Sequence, residues 1–181
     1  MVSQEIVFAG FGGQGILSMG KFLAFAGMEA GLNVSWLPSY GPEMRGGTSN
    51  CSVILTQNDI GSPVVTTPTT LVVMNRPSLD KFEPALIQNG LLILDTDLVT
   101  RPPVRQDIES LGIPAQTIAE KLGSKKVANM VLLGALIAMT KVLPVEVLLH
   151  SIQSHGKAQF YELNQSAILN GIELASLHPW H

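Results

Sequence analysis

Short apolar runs alternate with longer stretches of helical periodicity along this chain, and their order predicts an α/β fold. Glu5 to Ala9 reads as a buried strand, because it is short, apolar and stopped by Gly10. Gln14 to Gly31 has the helical spacing, with Ile16, Leu17, Met19, Leu23 and Met28 on an apolar stripe and Gly31 placed to end it. Asn33 to Leu37 is the next strand. Strand, glycine turn, helix and strand make a βαβ unit, which predicts a parallel sheet. Cys51 to Thr56 alternates and reads as a strand. Gln57-Asn58-Asp59 is a turn signal, so Ile60 with Pro63 to Thr66 is expected to return as the second half of an antiparallel hairpin within Cys51 to Val65.

The second half repeats the strand–helix rhythm and then becomes helical. Leu71 to Met74 is a short buried strand, Pro77 opens a helix running to about Gln88, and Leu91 to Leu94 is the following strand. Gly112 to Ala115 predicts one more strand, and Ala119 to Leu122 a short helix ended by Gly123. Three helices follow, over Val127 to Lys141, Pro144 to Ser154 and Ala158 to Leu174. The first is apolar nearly all round, which places it either in a core or in an interface. The predicted architecture is a mostly parallel Rossmann-like sheet with flanking helices, an antiparallel hairpin and a helical C-terminus. The length suits a single domain over residues 1–181.

Composition narrows the function classes. Charged residues make up 14% of the chain and the net charge is −3, with no basic run longer than Lys125-Lys126. Nucleic acid is therefore not the expected partner. The low charge fits either a surface covered by partner chains or an ordinary α/β protein with a large core. A single cysteine, Cys51, allows no internal disulfide and fits a reducing cytoplasm. It also falls short of the roughly four thiolates an iron–sulfur cluster takes. No basic segment followed by a long apolar run opens the chain, and the apolar stretch near Asn129 to Met139 is shorter than the ~20 residues that span a bilayer. The expected setting is the cytoplasm, with no membrane association.

Two glycine-rich segments carry the candidate chemistry. In the first, Gly10, Gly12 and Gly15 fit G-x-G-x-x-G between a strand and a helix, with Gly13 and Gln14 inside the turn. Glycine permits the tight turn and lets backbone N–H groups approach a phosphate, while the following helix presents unpaired N–H groups. A dinucleotide site also wants an acid at the end of the second strand, and that end reads Leu37-Pro38-Ser39-Tyr40. The turn thus serves an ordinary dinucleotide, a close helix–strand packing, or an anionic ligand or partner group. In the second segment, Gly41-Pro42 and Gly46-Gly47 preclude regular structure around Glu43 and Arg45. Those two side chains either tie neighbouring loops together or, for Arg45, face a phosphate or carboxylate in a shared cleft. A parallel sheet would bring both segments to the carboxyl ends of adjacent strands.

Gly10-Phe11-Gly12-Gly13-Gln14-Gly15, followed by Pro38-Ser39-Tyr40-Gly41-Pro42-Glu43-Met44-Arg45-Gly46-Gly47, resembles the gamma subunit of the 2-oxoacid:ferredoxin oxidoreductases. The second segment is most similar to the 2-oxoglutarate and 2-oxoisovalerate members. Asn129-Met130-Val131-Leu132-Leu133-Gly134-Ala135 also looks like the family, and the resemblance covers about residues 4 to 175. It implies a part in converting a 2-oxoacid and coenzyme A, with oxidised ferredoxin, into an acyl-CoA, carbon dioxide and reduced ferredoxin. It implies partners: alpha, thiamine diphosphate-binding beta and ferredoxin-like delta subunits, and an external ferredoxin. Thiamine diphosphate and the iron–sulfur clusters would sit on those subunits, and coenzyme A would be shared with them. No catalytic residue is expected on this chain. Gly10, Gly12, Gly13, Gln14, Gly15, Glu43, Arg45, Gly46 and Gly47 are the candidate coenzyme-binding residues. The corresponding subunit of an indolepyruvate enzyme, or a free-standing nucleotide-binding regulator, are the alternatives.

Other polar residues fit structural roles. His178 and His181 have ligand-like spacing but lie in a terminal tail, and His150 and His155 flank a helix end, so no metal site is expected. Asp95 and Asp97 follow a buried strand, where aspartate caps the next element or turns the chain. Cys51 reads as a small core residue, and Asn129 as a cap or a loop anchor.

Overall fold

A six-stranded sheet organises the protein, seen here in a computed structural model that describes residues 3–39 and 48–178. The strands are β1 (Ser3–Phe11), β2 (Asn33–Ser39), β3 (Thr48–Thr56), β4 (Thr70–Val73), β5 (Leu91–Asp95) and β6 (Glu109–Ile113). Their order is β2-β3-β1-β4-β5-β6. β1, β4, β5 and β6 pair in parallel, while β3 is antiparallel to both β1 and β2. Ile6, Val7, Phe8 and Ala9 are all buried because β1 lies inside the sheet and both its faces are covered.

Two expectations need correction. The antiparallel hairpin exists, but it pairs β2 with β3 and not Cys51–Thr56 with residues 60–66, which form no strand. Both edges of β3 are already taken, by β1 and by β2, so residues 60–66 have no free edge there to join. β1 and β2 run in the same direction, as the βαβ unit requires, yet β3 lies between them and they are not adjacent.

Helix α1 (Ile16–Glu29) follows the glycine turn and ends as predicted at Gly31, whose φ is +75°. The Leu32 N–H reaches back to the Gly27 carbonyl at 3.0 Å. Gly20 and Gly27, seven residues apart on one side of α1, bring it down onto the sheet. A Cβ on Gly20 would lie 2.5 Å from Cys51 Sγ, and one on Gly27 would overlap Leu55. Helix α2 (Arg76–Phe82) starts on Asn75, whose side chain accepts the Ser78 N–H at 2.8 Å, with Pro77 in its first turn. The remaining helices are α3 (Ala115–Lys121), α4 (Ala128–Thr140), α5 (Val145–His155) and α6 (Tyr161–Ser176). One sheet face, with Ile6, Phe8, Val53 and Ile93, packs against α1 and the later helices, while Val7, Leu71, Val73 and Leu92 on the other face pack against α2. Helix α4, apolar nearly all round, is buried here against α6, α3, α1 and β5, so it is a core helix. No helix among the described residues is long and apolar enough to cross a membrane.

Candidate functional site at the carboxyl edge of the sheet

The chain leaves β1 through α1 toward β2, on one face, and leaves β4 through α2 toward β5, on the other. The carboxyl ends of β1 and β4 therefore flank a topological switch point, where open α/β sheets form their ligand crevices. The glycine turn, residues 12–15, sits at this crevice. Gln14 bridges it: Oε1 accepts the Phe11 N–H at 2.5 Å, and Nε2 donates to the Met74 carbonyl at 3.1 Å, across the gap between the two strands. The Gln14 side chain is thus a strut that holds the turn against β4.

Gly10 is buried within β1, and a Cβ there would lie 2.6 Å from Gln14 Oε1 and 2.7 Å from Ile16 Cδ1. Gly12 and Gly13 form the exposed tip. Gly15 stands at the start of α1 with φ +76°, and a Cβ there would overlap the Asn129 side-chain amide. Only glycine satisfies both conditions. Asn129, at the start of α4, donates from Nδ2 to the Gly15 carbonyl at 3.2 Å, while its Oδ1 accepts the Met130 N–H at 3.0 Å. This is the loop-anchoring role the sequence offered for Asn129. Among the described residues no side chain caps α1, and its first turn holds no acid, which leaves the turn electropositive.

The second glycine segment, Tyr40 to Gly47 with Glu43, Arg45, Gly46 and Gly47, lies outside the described residues. Its flanks are at the same sheet edge: Thr48 pairs with Phe11, and Ser39 pairs with Asn50.

The remaining polar candidates take structural roles. Asp97 caps α3, accepting the Thr117 N–H at 2.7 Å and its hydroxyl at 3.0 Å. Asp95 is fully buried, and its Oδ1 accepts N–H groups of Asp97 and Ala115, both at 3.1 Å. Burial pushes the Asp95 carboxyl above the usual carboxylate range, against the pull of those donors and of Gln116. A carboxyl raised in the folded state opposes folding when ionised, and that cost fades as pH falls through its folded value. Asp95→Asn keeps the Oδ1 acceptor and removes the charge. Its urea midpoint at neutral pH should match or exceed the parent, within about 1 kcal/mol. A loss of several times that would show that the ionised form is needed.

Cys51 is buried, its thiol pushed up to about 12 by burial, and it points to the Ile16 carbonyl at 3.6 Å. It is a core residue in a protonated state. His150 Nδ1 and His155 Nε2 reach Glu29 at 2.8 and 3.5 Å, and His155 stacks on Phe25, so the pair ties α5 to α1. No group of three metal-ligating side chains occurs among the described residues. His181 lies outside them.

Sequence reading missed one cluster. Glu83 is buried under the loop after β5, accepting N–H groups of Val104 at 2.6 Å and Arg105 at 3.0 Å, and the Arg101 guanidinium at 2.9 Å. Its members are separated by 18 to 22 residues and share no periodicity, so no local signal marks them.

The pyruvate ferredoxin/flavodoxin oxidoreductase family model matches residues 5–174. The chain is 44% identical over 135 residues to ketoisovalerate oxidoreductase subunit VorA of Methanothermobacter thermautotrophicus, covering 75% of this chain and 28% of that protein. It is 36% identical to 2-oxoglutarate synthase subunit KorC of Methanothermobacter marburgensis, covering 94% of this chain and 96% of that one. Its fold superposes on the gamma subunit of a keto/oxoacid ferredoxin oxidoreductase from Geobacter sulfurreducens, with TM-score 0.86, 32% identity, and coverage of 97% and 99%. It also matches the fold of 32% of a chain in the 2-oxoglutarate:ferredoxin oxidoreductase of Magnetococcus marinus, a structure with 2-oxoglutarate, coenzyme A and succinyl-CoA bound, with TM-score 0.87, 23% identity and 99% of this chain covered.

Proposed function

Because this chain belongs to the pyruvate ferredoxin/flavodoxin oxidoreductase family, we propose that it is the gamma subunit of a 2-oxoacid:ferredoxin oxidoreductase complex. The supporting observation is the end-to-end correspondence with KorC, 94% of one chain against 96% of the other. The VorA and KorC identities favour a 2-oxoglutarate or ketoisovalerate enzyme over an indolepyruvate one. The chain spans 28% of VorA, so the whole reaction belongs to an assembly larger than this fold. In that assembly thiamine diphosphate would supply the electron sink for decarboxylation, and iron–sulfur clusters would supply the electron path to ferredoxin. This chain offers one buried thiol, so the clusters fall to its alpha, beta and delta partners. The glycine turn contributes backbone N–H groups and a held geometry to the coenzyme A cleft, with Arg45 as the candidate cation. The cytoplasm is the setting this reading implies.

Co-purification tests the reading: the chain should be recovered with a thiamine-binding subunit and a ferredoxin-like subunit. Alone, it should turn over no 2-oxoacid with coenzyme A and an artificial acceptor, and turnover by the lone chain would overturn the assignment. Within the complex, Arg45→Ala should raise KM for coenzyme A about ten- to a hundred-fold, the worth of one charge-assisted hydrogen bond. The half-reaction that precedes coenzyme A should hold its rate. If both half-reactions fall together with loss of assembly, Arg45 is a tie to Glu43 and not a ligand group.

A further inference from the structure

A second cationic feature borders the glycine turn, on the side away from β2 and β3. Gly13 and Gln14 share a cleft of about 220 Å³ with Met74, Leu98, Gln116 and the lysines Lys125 and Lys126. The two lysines lie in a 3-10 turn, Lys125–Val127, set between α3 and α4. The Ser124 hydroxyl accepts the Lys126 N–H at 3.3 Å and fixes that turn. Three residues on, Asn129 bonds to the Gly15 carbonyl, so the lysine turn and the glycine turn are held at a set separation before any ligand arrives. None of the residues lining the cleft is acidic. Lys125 reaches Glu120 at 3.5 Å, but both side chains are well exposed and the pair is weak. Lys126 makes no ion pair among the described residues.

We propose that Lys125 and Lys126, facing the Gly13 end of the glycine turn, form a subsite for a phosphate monoester, which is the ribose 3′-phosphate when the ligand is coenzyme A. The assignment to coenzyme A rests on the function proposed above, whereas the phosphate subsite rests on the cleft itself. The volume is below the ~300 Å³ at which sites for whole small molecules begin, so the cleft takes one end group and leaves the rest of the ligand outside. Two ammonium groups match the charge of a phosphate monoester, about −1.5 to −2 at neutral pH, better than a carboxylate or a phosphodiester carrying a single charge. Each ammonium brings three donors to the phosphate oxygens, and the Gly13 side adds backbone N–H groups in the manner of phosphate-binding turns.

The test has two arms. In the first, the full chain is titrated with inorganic phosphate while backbone amide resonances are followed. The Gly13 and Gln14 amides should shift, the Lys125→Ala/Lys126→Ala double variant should bind about tenfold more weakly, and the Lys125→Arg/Lys126→Arg variant should retain binding. Absence of shifts at those amides, or unchanged affinity in the double alanine variant, overturns the subsite. In the second arm, the assembled enzyme is assayed with coenzyme A and with dephospho-coenzyme A. The double alanine variant should raise KM for coenzyme A about tenfold and move that for dephospho-coenzyme A less than about twofold. If phosphate binding is lost in the first arm but neither KM moves in the second, the subsite stands and its assignment to coenzyme A falls.

Discussion

Gly171→Ala is expected to destabilise the protein by about 3 kcal/mol, with a fall in Tm of roughly 6–12 °C. Helices α4 and α6 cross with a glycine on each side of the contact. A Cβ on Gly171 would overlap the Val131 carbonyl oxygen and lie 3.0 Å from the Ala135 nitrogen, and a Cβ on Gly134 would overlap the Ile168 carbonyl oxygen. The obstacle is backbone in both cases, so no side chain can rotate away. The helices must separate, and α4 is packed on its other sides by α3, α1 and β5. Alanine gains about 1 kcal/mol over glycine in an exposed helix, but that gain is smaller than the cost of parting two close-packed backbones. Urea and thermal unfolding would measure the difference. A stabilised variant would show that the crossing has slack and that these glycines are placed for another reason. The Gly134→Ala/Gly171→Ala pair should cost less than the sum of the single changes, because the first separation makes room for the second methyl group.

Glu83→Gln should cost about 2–3 kcal/mol at neutral pH, and the cost should shrink in acid. Burial raises the Glu83 carboxyl, but the Arg105 and Val104 N–H groups and the Arg101 guanidinium lower it further, and the net result lies below the usual 4.5. The sign follows from linkage. A carboxylate lowered in the folded state stabilises the fold fully above its unfolded value, and that stabilisation is lost as pH falls through the folded value. The parent should therefore lose stability in acid relative to Glu83→Gln, and the two unfolding midpoints should draw together as pH falls through the lowered folded value. In the amide variant an NH₂ group faces Arg101 where a carboxylate oxygen accepts now, and Arg101 keeps only its bonds to Asp80 and the Pro102 carbonyl. Urea unfolding at several pH values would test this. A difference between parent and variant that stays constant from pH 7 to pH 3 would mean that Glu83 acts by shape and not by charge.

Much of the local structure was legible in the chain. The strand–turn–helix at Glu5 to Gly31, the helix opening at Pro77 and the helix stop at Gly31 all depend on residues close in sequence. Turn conformation, capping and periodicity are properties of a few consecutive residues, so a local pattern suffices to specify them. The glycine turn was legible to the same depth, because its own residues specify its geometry.

What a segment packs against was decided only in three dimensions. The alternation in Cys51 to Thr56 specifies a strand but not its neighbours, and β3 inserts between β1 and β2 because its edges satisfy both of them at once. The apolar surface of α4 suited a core or an interface equally well, and the placement of α6 through Gly134 and Gly171 made it core. Gln14, part of the turn's motif, proved to be the strut to Met74, and Asn129 closes on Gly15 across 114 residues of chain. Lys125 and Lys126, the longest basic run in the sequence, gain meaning from the turn they face. Each of these outcomes depends on partners brought together by chain closure, and the free energy of such contacts is a property of the pair, which neither member's local sequence contains.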